Sequence, residues 1–350
     1  DVGLGVVMRV GKQGADIARA ALLLAGYGDS VVGYQLNRFC TSSLDTLKMG
    51  FALVASGQAD AVIGGGVESM SRLPIGCDGG AVYTDPAVGS RYPYIPNGVA
   101  ADLMAMLDGV GRDQVDAYAA ESQRRAAVAQ AEGRFGASLL PVRDRLGRVV
   151  LDKDEANRPG TTAEDLAKLK PAFAGAGALG YHAIVLQRYP HLARIEPVHT
   201  GGNSSGIVDG ACAMLLGNSD YGQRNGLRPR ARIVGVASCA DEPLLSLGGP
   251  MPATQRLLRR CGLAIGDLDL FEVNEAFSVV PMRYARHFDI GPVRINVNGG
   301  AIALGHPLGA TGAILTGTLL DELERRGAGL GLVTLCAAAG QSTAMVIERV

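Results

Sequence analysis

Neither sign of charge dominates this chain. Lysine and arginine nearly balance aspartate and glutamate, the net charge is −1, and no basic block interrupts the sequence. Nucleic-acid binders show a clustered positive face, so that class is disfavoured. Paired cysteines are missing too. The six cysteines are scattered, with neither metal-type spacing nor a secreted disulfide pattern. That predicts a reducing, cytoplasmic setting and no bound metal. Long apolar runs are absent: stretches such as Ala20–Leu24 fall far short of the ~20 residues of a membrane helix. No signal peptide is visible, and Asp1 opens the chain without a methionine, so the first residues read as the middle of a domain. With 47% apolar residues the chain is too hydrophobic for disorder. Its 350 residues suffice for one large domain or two medium ones.

What is present is a series of small-residue turns between strands and helices. Asn296–Leu308 reads NVNGGAIALGHPL. A β-rich run, Val293–Val297, enters a glycine-dense turn that presents His306, and a helix over Pro307–Arg326 follows. Pro307 suits the first helical position; Arg325, Arg326 and Gly327 suit the end. Earlier, Leu44, Leu47, Phe51 and Val54 recur at helical spacing, so a helix starts just after Cys40. The positive end of that helix favours a thiolate. Ala59–Gly64 reads as a buried strand, Val31–Leu36 as another, and Gln13–Ala25 as a helix closed by Gly26 and Gly28.

From about Leu73 to Thr200 this rhythm is lost. Proline, tyrosine and charge rise, and one clear helix, Arg112–Glu132, stands out. We expect an inserted subdomain at 73–200, between an N-terminal half made of 1–72 with 201–228 and a C-terminal half at 229–350. In the latter, Arg232–Val236, Leu270–Val273, Gly331–Leu335 and Ala344–Ile347 read as strands and Ala253–Cys261 as a helix. The order strand, turn, small-residue helix, strand occurs at Val31–Gly64 and again at Val293–Cys336, a coarse repeat. Alternating strands and helices predict an α/β fold with a mainly parallel sheet.

Each candidate side chain has two readings. Cys40 is a buried small hydrophobe or a nucleophile. Cys336, in LCAAAGQ, has the same pair, and taken alone the hydrophobe leads. His306, between glycine and proline in a turn, has little core to pack against and reads as a base. Asn274 ahead of Glu275 is a helix cap or an oxyanion donor. The set is more specific than its members. A thiolate nucleophile needs a base, His306. Acyl transfer needs donors for an oxyanion, which Asn274, His306 or backbone N–H groups supply. A carbon acid or carbon leaving group needs a second acid/base, a role open to Cys336. His182, His191 and His199 lie in or near a long insertion, Ala174–Pro197. Packing leads for them, with lining of a wider acyl pocket as the alternative.

NRFCTSS around Cys40, GGGVESMSR, GGNSSGIVDGACAMLL, VNEAFS, NVNGGAIALGHPLGATGA and TLCAAAG occur in that order. Together they resemble the thiolases, acetyl-CoA C-acyltransferases, across essentially the whole chain. The subgroup resembled is the actinobacterial type with an extra segment after KPAF. The resemblance implies duplicated α/β halves in an α-β-α-β-α layering with an inserted loop subdomain. It makes Cys40 the acyl-accepting nucleophile, His306 its base, and Cys336 the group that moves a proton at the substrate α-carbon. Asn274 would hold a water that, with His306, forms one oxyanion hole; the N–H groups of Cys40 and Ala338 would form the other. Coenzyme A would lie over the inserted subdomain against Phe173, Ser205, Ala276 and Phe277, as a substrate, with no metal or redox cofactor. The implied reaction is ping-pong thiolysis of 3-ketoacyl-CoA thioesters, or its Claisen reverse. The implied assembly is a homodimer or homotetramer, with a partner subunit of a fatty-acid oxidation complex as a further option.

Three positions depart from the family pattern. Ala338 stands where glycine is usual, Ile95–Gly98 reads IPNG, and a strand–helix–strand unit expected before Gly3 is absent, which would leave a central sheet position unfilled. Two other readings stay open: a decarboxylating condensing enzyme, and a non-catalytic acyl-CoA-binding relative.

Overall fold

The computed structural model describes residues 1–350. The chain starts with β1 (Val2–Gly5), α1 (Ile17–Leu24), β2 (Gly33–Leu36), α2 (Ser42–Ala55) and β3 (Ala61–Ser69). A long excursion then carries α3 (Ala81–Thr84), α4 (Pro86–Arg91), α5 (Asn97–Asp108) and α6 (Arg112–Ala131). It continues through the hairpin β4 (Val142–Arg143) and β5 (Val149–Leu151), α7 (Ala163–Ala167) and α8 (Tyr181–Arg188). The chain returns with β6 (Asp209–Gly217), α9 (Ser219–Arg224), β7 (Ala231–Ala240), α10 (Pro250–Cys261) and β8 (Leu270–Val273). It ends with α11 (Val279–Phe288), α12 (Ala301–Leu304), α13 (Thr311–Arg326), β9 (Leu330–Ala337) and β10 (Gln341–Arg349).

Local chemistry sets most of these limits. Asp16 caps α1 by accepting from Arg19 N at 3.0 Å. Gly262 and Gly327 end α10 and α13 in the left-handed region. One expected boundary moves. Pro307 does not open the last helix, because His306–Ala310 forms a separate turn in which Ala310 N donates to Pro307 O at 2.8 Å. The helix begins four residues later, at Thr311. Val293–Val297 is likewise no strand. It makes only isolated bridges, Ile295 with Phe271 and Val297 with Gly299, because the Asn296 side chain occupies the ladder groups of Val273.

The two halves form mixed sheets rather than one mainly parallel sheet. Their orders are β2-β1-β3-β6 and β7-β10-β9-β8. The first is parallel except for β6; in the second only β8 and β9 are parallel. The expected gap in the first sheet is not there: β1 hydrogen-bonds to β2 on one side and β3 on the other. Its two outer edges, at β2 and at the far side of β6, are unpaired, and on β6 Leu215 is half exposed. In the second sheet, β7 covers the matching edge of β10.

Both cysteine- and histidine-bearing segments lead into helices that lie between the sheets. Leu44 and Leu47 of α2 share one core with Leu315, Leu319 and Leu323 of α13 and with Val333 and Met345 of the second sheet. Glycines let the layers close. A Cβ at Gly66 of β3 would sit 2.0 Å from Gly309 O, so the turn after His306 rests directly on the first sheet. α1 packs outside that sheet, and α10 and α11 outside the other. The excursion has more structure than its composition suggests. α5 is buried from Gly98 to Ala105 and so lacks the one-sided pattern that marks a helix. The Ala174–Pro197 insertion forms α8, whose Val185 enters the same core as Leu103 and Phe277.

Candidate active site

Cys40 sits in a tight turn ahead of α2. Phe39, just before it, takes φ 48°, uncommon for a bulky residue, and is held by three bonds. Phe39 N donates to Asn37 Oδ1 at 2.8 Å, Ser42 Oγ donates to Phe39 O at 2.6 Å, and Arg38 N donates to Ser42 Oγ at 2.9 Å. The thiol is buried in a small cluster with Met8, Met70, Leu308 and Ala337. Leu308 is two residues from His306, and Ala337 follows Cys336, so this cluster draws the segments carrying the three predicted reacting residues together. The helix end does not make Cys40 a thiolate at rest. Burial pushes its pKa up to about 12, and the Glu68 carboxylate adds to the rise. Cys336 is raised further, first by burial and then by the proximity of Cys40.

His306 is buried and reached from three sides. Its N–H donates to Gly206 O at 2.9 Å. Its Nδ1 lies 2.6 Å from Thr311 Oγ1, and Thr311 Oγ1 lies 2.9 Å from Pro307 O. The hydroxyl has one proton and gives it to the carbonyl, so its oxygen accepts from Nδ1–H. The Nε2 lone pair thereby faces Asn274, whose Nδ2 donates to it at 3.3 Å. Burial lowers the His306 pKa to about 4, so the ring is neutral at pH 7. Gly305 is required here: it takes φ 93°, and a Cβ would meet Val208 at 2.5 Å. Asn274 Oδ1 is buried without a partner, as expected of a group that holds a water or a ligand.

Thr311 and Glu275 were not singled out by sequence reasoning. Glu275 accepts from Ser122 Oγ, Tyr118 OH, Asn296 Nδ2 and Ile302 N at 2.6–3.2 Å, which clamps the segment that carries Asn274. The available signal was the pairing of each with a candidate, Thr311 one helical turn beyond Pro307 and Glu275 next to Asn274.

The N–H groups of Cys40 and Ala338 donate to no backbone or side-chain acceptor. The alanine substitution is tolerated locally, because the left-handed positions fall at Ala339 (φ 59°) and Gly340 (φ 76°) and not at Ala338. The four predicted CoA-facing residues also converge. Ser205 N donates to Ala276 O at 3.1 Å, and the Phe173 and Phe277 rings meet edge-on at 6.0 Å. Gly98 lies against Phe173, so the IPNG segment reaches this place as well. His199 is buried beside Phe277 and bonded to Asp102 Oδ1 at 2.8 Å.

A neutral thiol, a neutral imidazole whose Nε2 lone pair meets only Asn274, a second buried thiol and two free backbone N–H groups together suit acyl transfer through a cysteine. Comparison with known proteins agrees. Residues 1–180 match the family model "Thiolase, N-terminal domain" and residues 227–349 match "Thiolase, C-terminal domain". The chain belongs to the thiolase family. It is 38% identical to the beta-ketoadipyl-CoA thiolase of Pseudomonas knackmussii, over 100% of this chain and 87% of that protein. It is 39% identical to the 3-ketoacyl-CoA thiolase of Aeromonas hydrophila, with 100% and 87% covered. Against the acetyl-CoA acetyltransferase of Shinella zoogloeoides the figures are 37%, 99% and 87%. In this thiolase no helix is long and apolar enough to cross a membrane.

Proposed function

We propose that this thiolase cleaves 3-ketoacyl-CoA thioesters with coenzyme A, giving acetyl-CoA and an acyl-CoA two carbons shorter, and can run the reverse condensation. The observation that carries the reading is the His306 ring, held through Nδ1 by Thr311 with Nε2 turned to Asn274, in a fold where Cys336 lies close enough to Cys40 to feel its charge.

The chemistry follows from the resting protonation state. Cys40 is too buried to ionise alone. It ionises as it attacks the 3-keto carbon, with its proton passing to His306 Nε2. The developing alkoxide is stabilised by His306 with a water held by Asn274, or by the N–H groups of Cys40 and Ala338, according to the half-reaction. Carbon–carbon cleavage leaves the acetyl-CoA carbanion, and the Cys336 thiol supplies the proton it takes up. A second CoA thiol gives its proton to Cys336 and attacks acyl-Cys40; Cys40 leaves as a thiolate, takes back its proton from His306, and the shortened acyl-CoA is released. Phe173, Ser205, Ala276 and Phe277 form the surface on which we place the pantetheine arm.

The finer readings are ours as well. The relatives' names span beta-ketoadipyl, 3-ketoacyl and acetyl substrates, and their shared unit is a 3-ketoacyl thioester. The segment after Lys170–Phe173 supports the actinobacterial-type subgroup. The open edge of β2, beside exposed Leu24 and Val32, supports a homo-oligomer. A reducing compartment suits two cysteines that must remain thiols.

CoA-dependent loss of acetoacetyl-CoA by the purified chain is the test. We expect Cys40→Ala to lower turnover on the order of 10³-fold or more while the fold is kept. Wild-type protein that is folded but inert toward acetoacetyl-CoA and toward longer 3-ketoacyl-CoAs would rule the reading out.

A further inference from the structure

A concavity of about 280 Å³ lies where α2 and α10 meet the ends of β7 and β10. Arg38, Lys48 and Arg256 line it, with Ser238 and Gln341. None of the proposed reacting residues does. The only carboxylate in the surrounding network is Asp45, which is buried and already engaged: Oδ1 accepts from Arg38, and Oδ2 accepts from the Thr41 and Thr343 hydroxyls at 3.0 Å each. Lys48 Nζ stands 3.9 Å from Asp45 and makes its one hydrogen bond to Ser238 Oγ at 2.8 Å. Arg256 makes one bond, to Ser238 O at 3.1 Å.

Three cations therefore meet one carboxylate, and most of their donors are free. Lys48 keeps two N–H bonds, and Arg256 keeps Nε and its second Nη. The charge imbalance is felt locally. Burial lowers the Lys48 pKa, and Arg38, Arg260 and Arg256 lower it further against the pull of Asp45. Two guanidinium forks and an ammonium around one cleft match the oxygens of a phosphoryl group, which take several charge-assisted bonds at once.

We propose that this cleft binds a small polyanion of the phosphate class, at a site separate from the reacting residues. The ligand would lie against Arg38, two residues before Cys40. A phosphoryl group can reach the cleft free or as part of CoA, and the experiment separates the two.

Inorganic pyrophosphate is the probe, titrated calorimetrically into the full chain at constant ionic strength. We expect saturable binding of one pyrophosphate per chain. Lys48→Met and Arg256→Gln should each weaken it about tenfold or more, as loss of a charge-assisted bond predicts. Both positions are partly exposed, so melting curves should stay close to wild type. Binding that persists at saturating CoA supports a separate site. Binding abolished by CoA would assign the cleft to the phosphates of CoA and overturn the proposal. So would an absence of saturable heat in the wild type, or unchanged affinity in both variants.

Discussion

Thr311 decides which nitrogen of His306 can take a proton. Its hydroxyl proton goes to Pro307 O and its oxygen holds Nδ1–H, so the base is Nε2. Valine keeps the shape of threonine but removes both bonds, and the ring is then free to turn or change tautomer. We expect Thr311→Val to lower kcat roughly 10–100-fold with KM little changed, within the range of a positioned acid–base group. Thr311→Ser restores the hydroxyl and should restore most of the rate. A purely structural role for the residue would instead lower thermal stability in Thr311→Val and leave the kcat of the folded fraction intact. Steady-state kinetics of the two variants beside their melting curves makes the distinction.

Elements deliver these residues, and here the sequence was legible in part. The helix after Cys40 and the strands at Leu270 and Leu330 follow from spacing and composition alone. Reading the chemistry of Cys40, His306, Cys336 and Asn274 as a set groups them as candidates; among them the structure sets Asn274 Nδ2 3.3 Å from His306. Three things were not legible. α5 is buried almost throughout and apolar except for Asp102 and its ends, so it carries no one-sided helical pattern. The order of strands within each sheet is set by long-range pairing that spacing does not encode, which is why a central gap was expected and an open edge at β6 was found. Burial, which raises the Cys40 pKa, cannot be read from the helix end that the sequence shows.

Close approach of β3 to the turn after His306 gives an element-scale prediction. Gly66→Ala places a Cβ 2.0 Å from Gly309 O, which is backbone and cannot rotate away. The turn must move by about an ångström, and a shift of that size near the reacting atoms costs on the order of 10²-fold in rate. Overpacking itself costs about 1–3 kcal/mol. We expect Gly66→Ala to fold with a lowered melting temperature and to lose far more activity than stability. Full activity with a lowered melting temperature would show that the turn's position is not critical.

At the scale of the whole molecule, the buried imidazole links stability to pH. In the fold the His306 pKa is about 4, lowered by burial; in the unfolded chain it returns to about 6.5. Between these values the unfolded chain binds a proton that the folded one does not, so stability falls as pH drops. The contribution is complete above about pH 6.5 and lost as pH falls through about 4, a difference on the order of 3 kcal/mol. A second carboxylate-driven loss follows at lower pH. Burial opposes ionisation of Glu322, but bonds from Arg325, Asn298 and Arg326 outweigh it and hold its pKa at about 2. Acid should therefore act in two stages, His306 first and Glu322 below about pH 4.5. His306→Asn removes the first stage only. We expect its melting temperature to be flatter than that of the wild type between about pH 6.5 and 4, with the two curves parallel below. Equal slopes in that window would mean that the fold does not lower the His306 pKa.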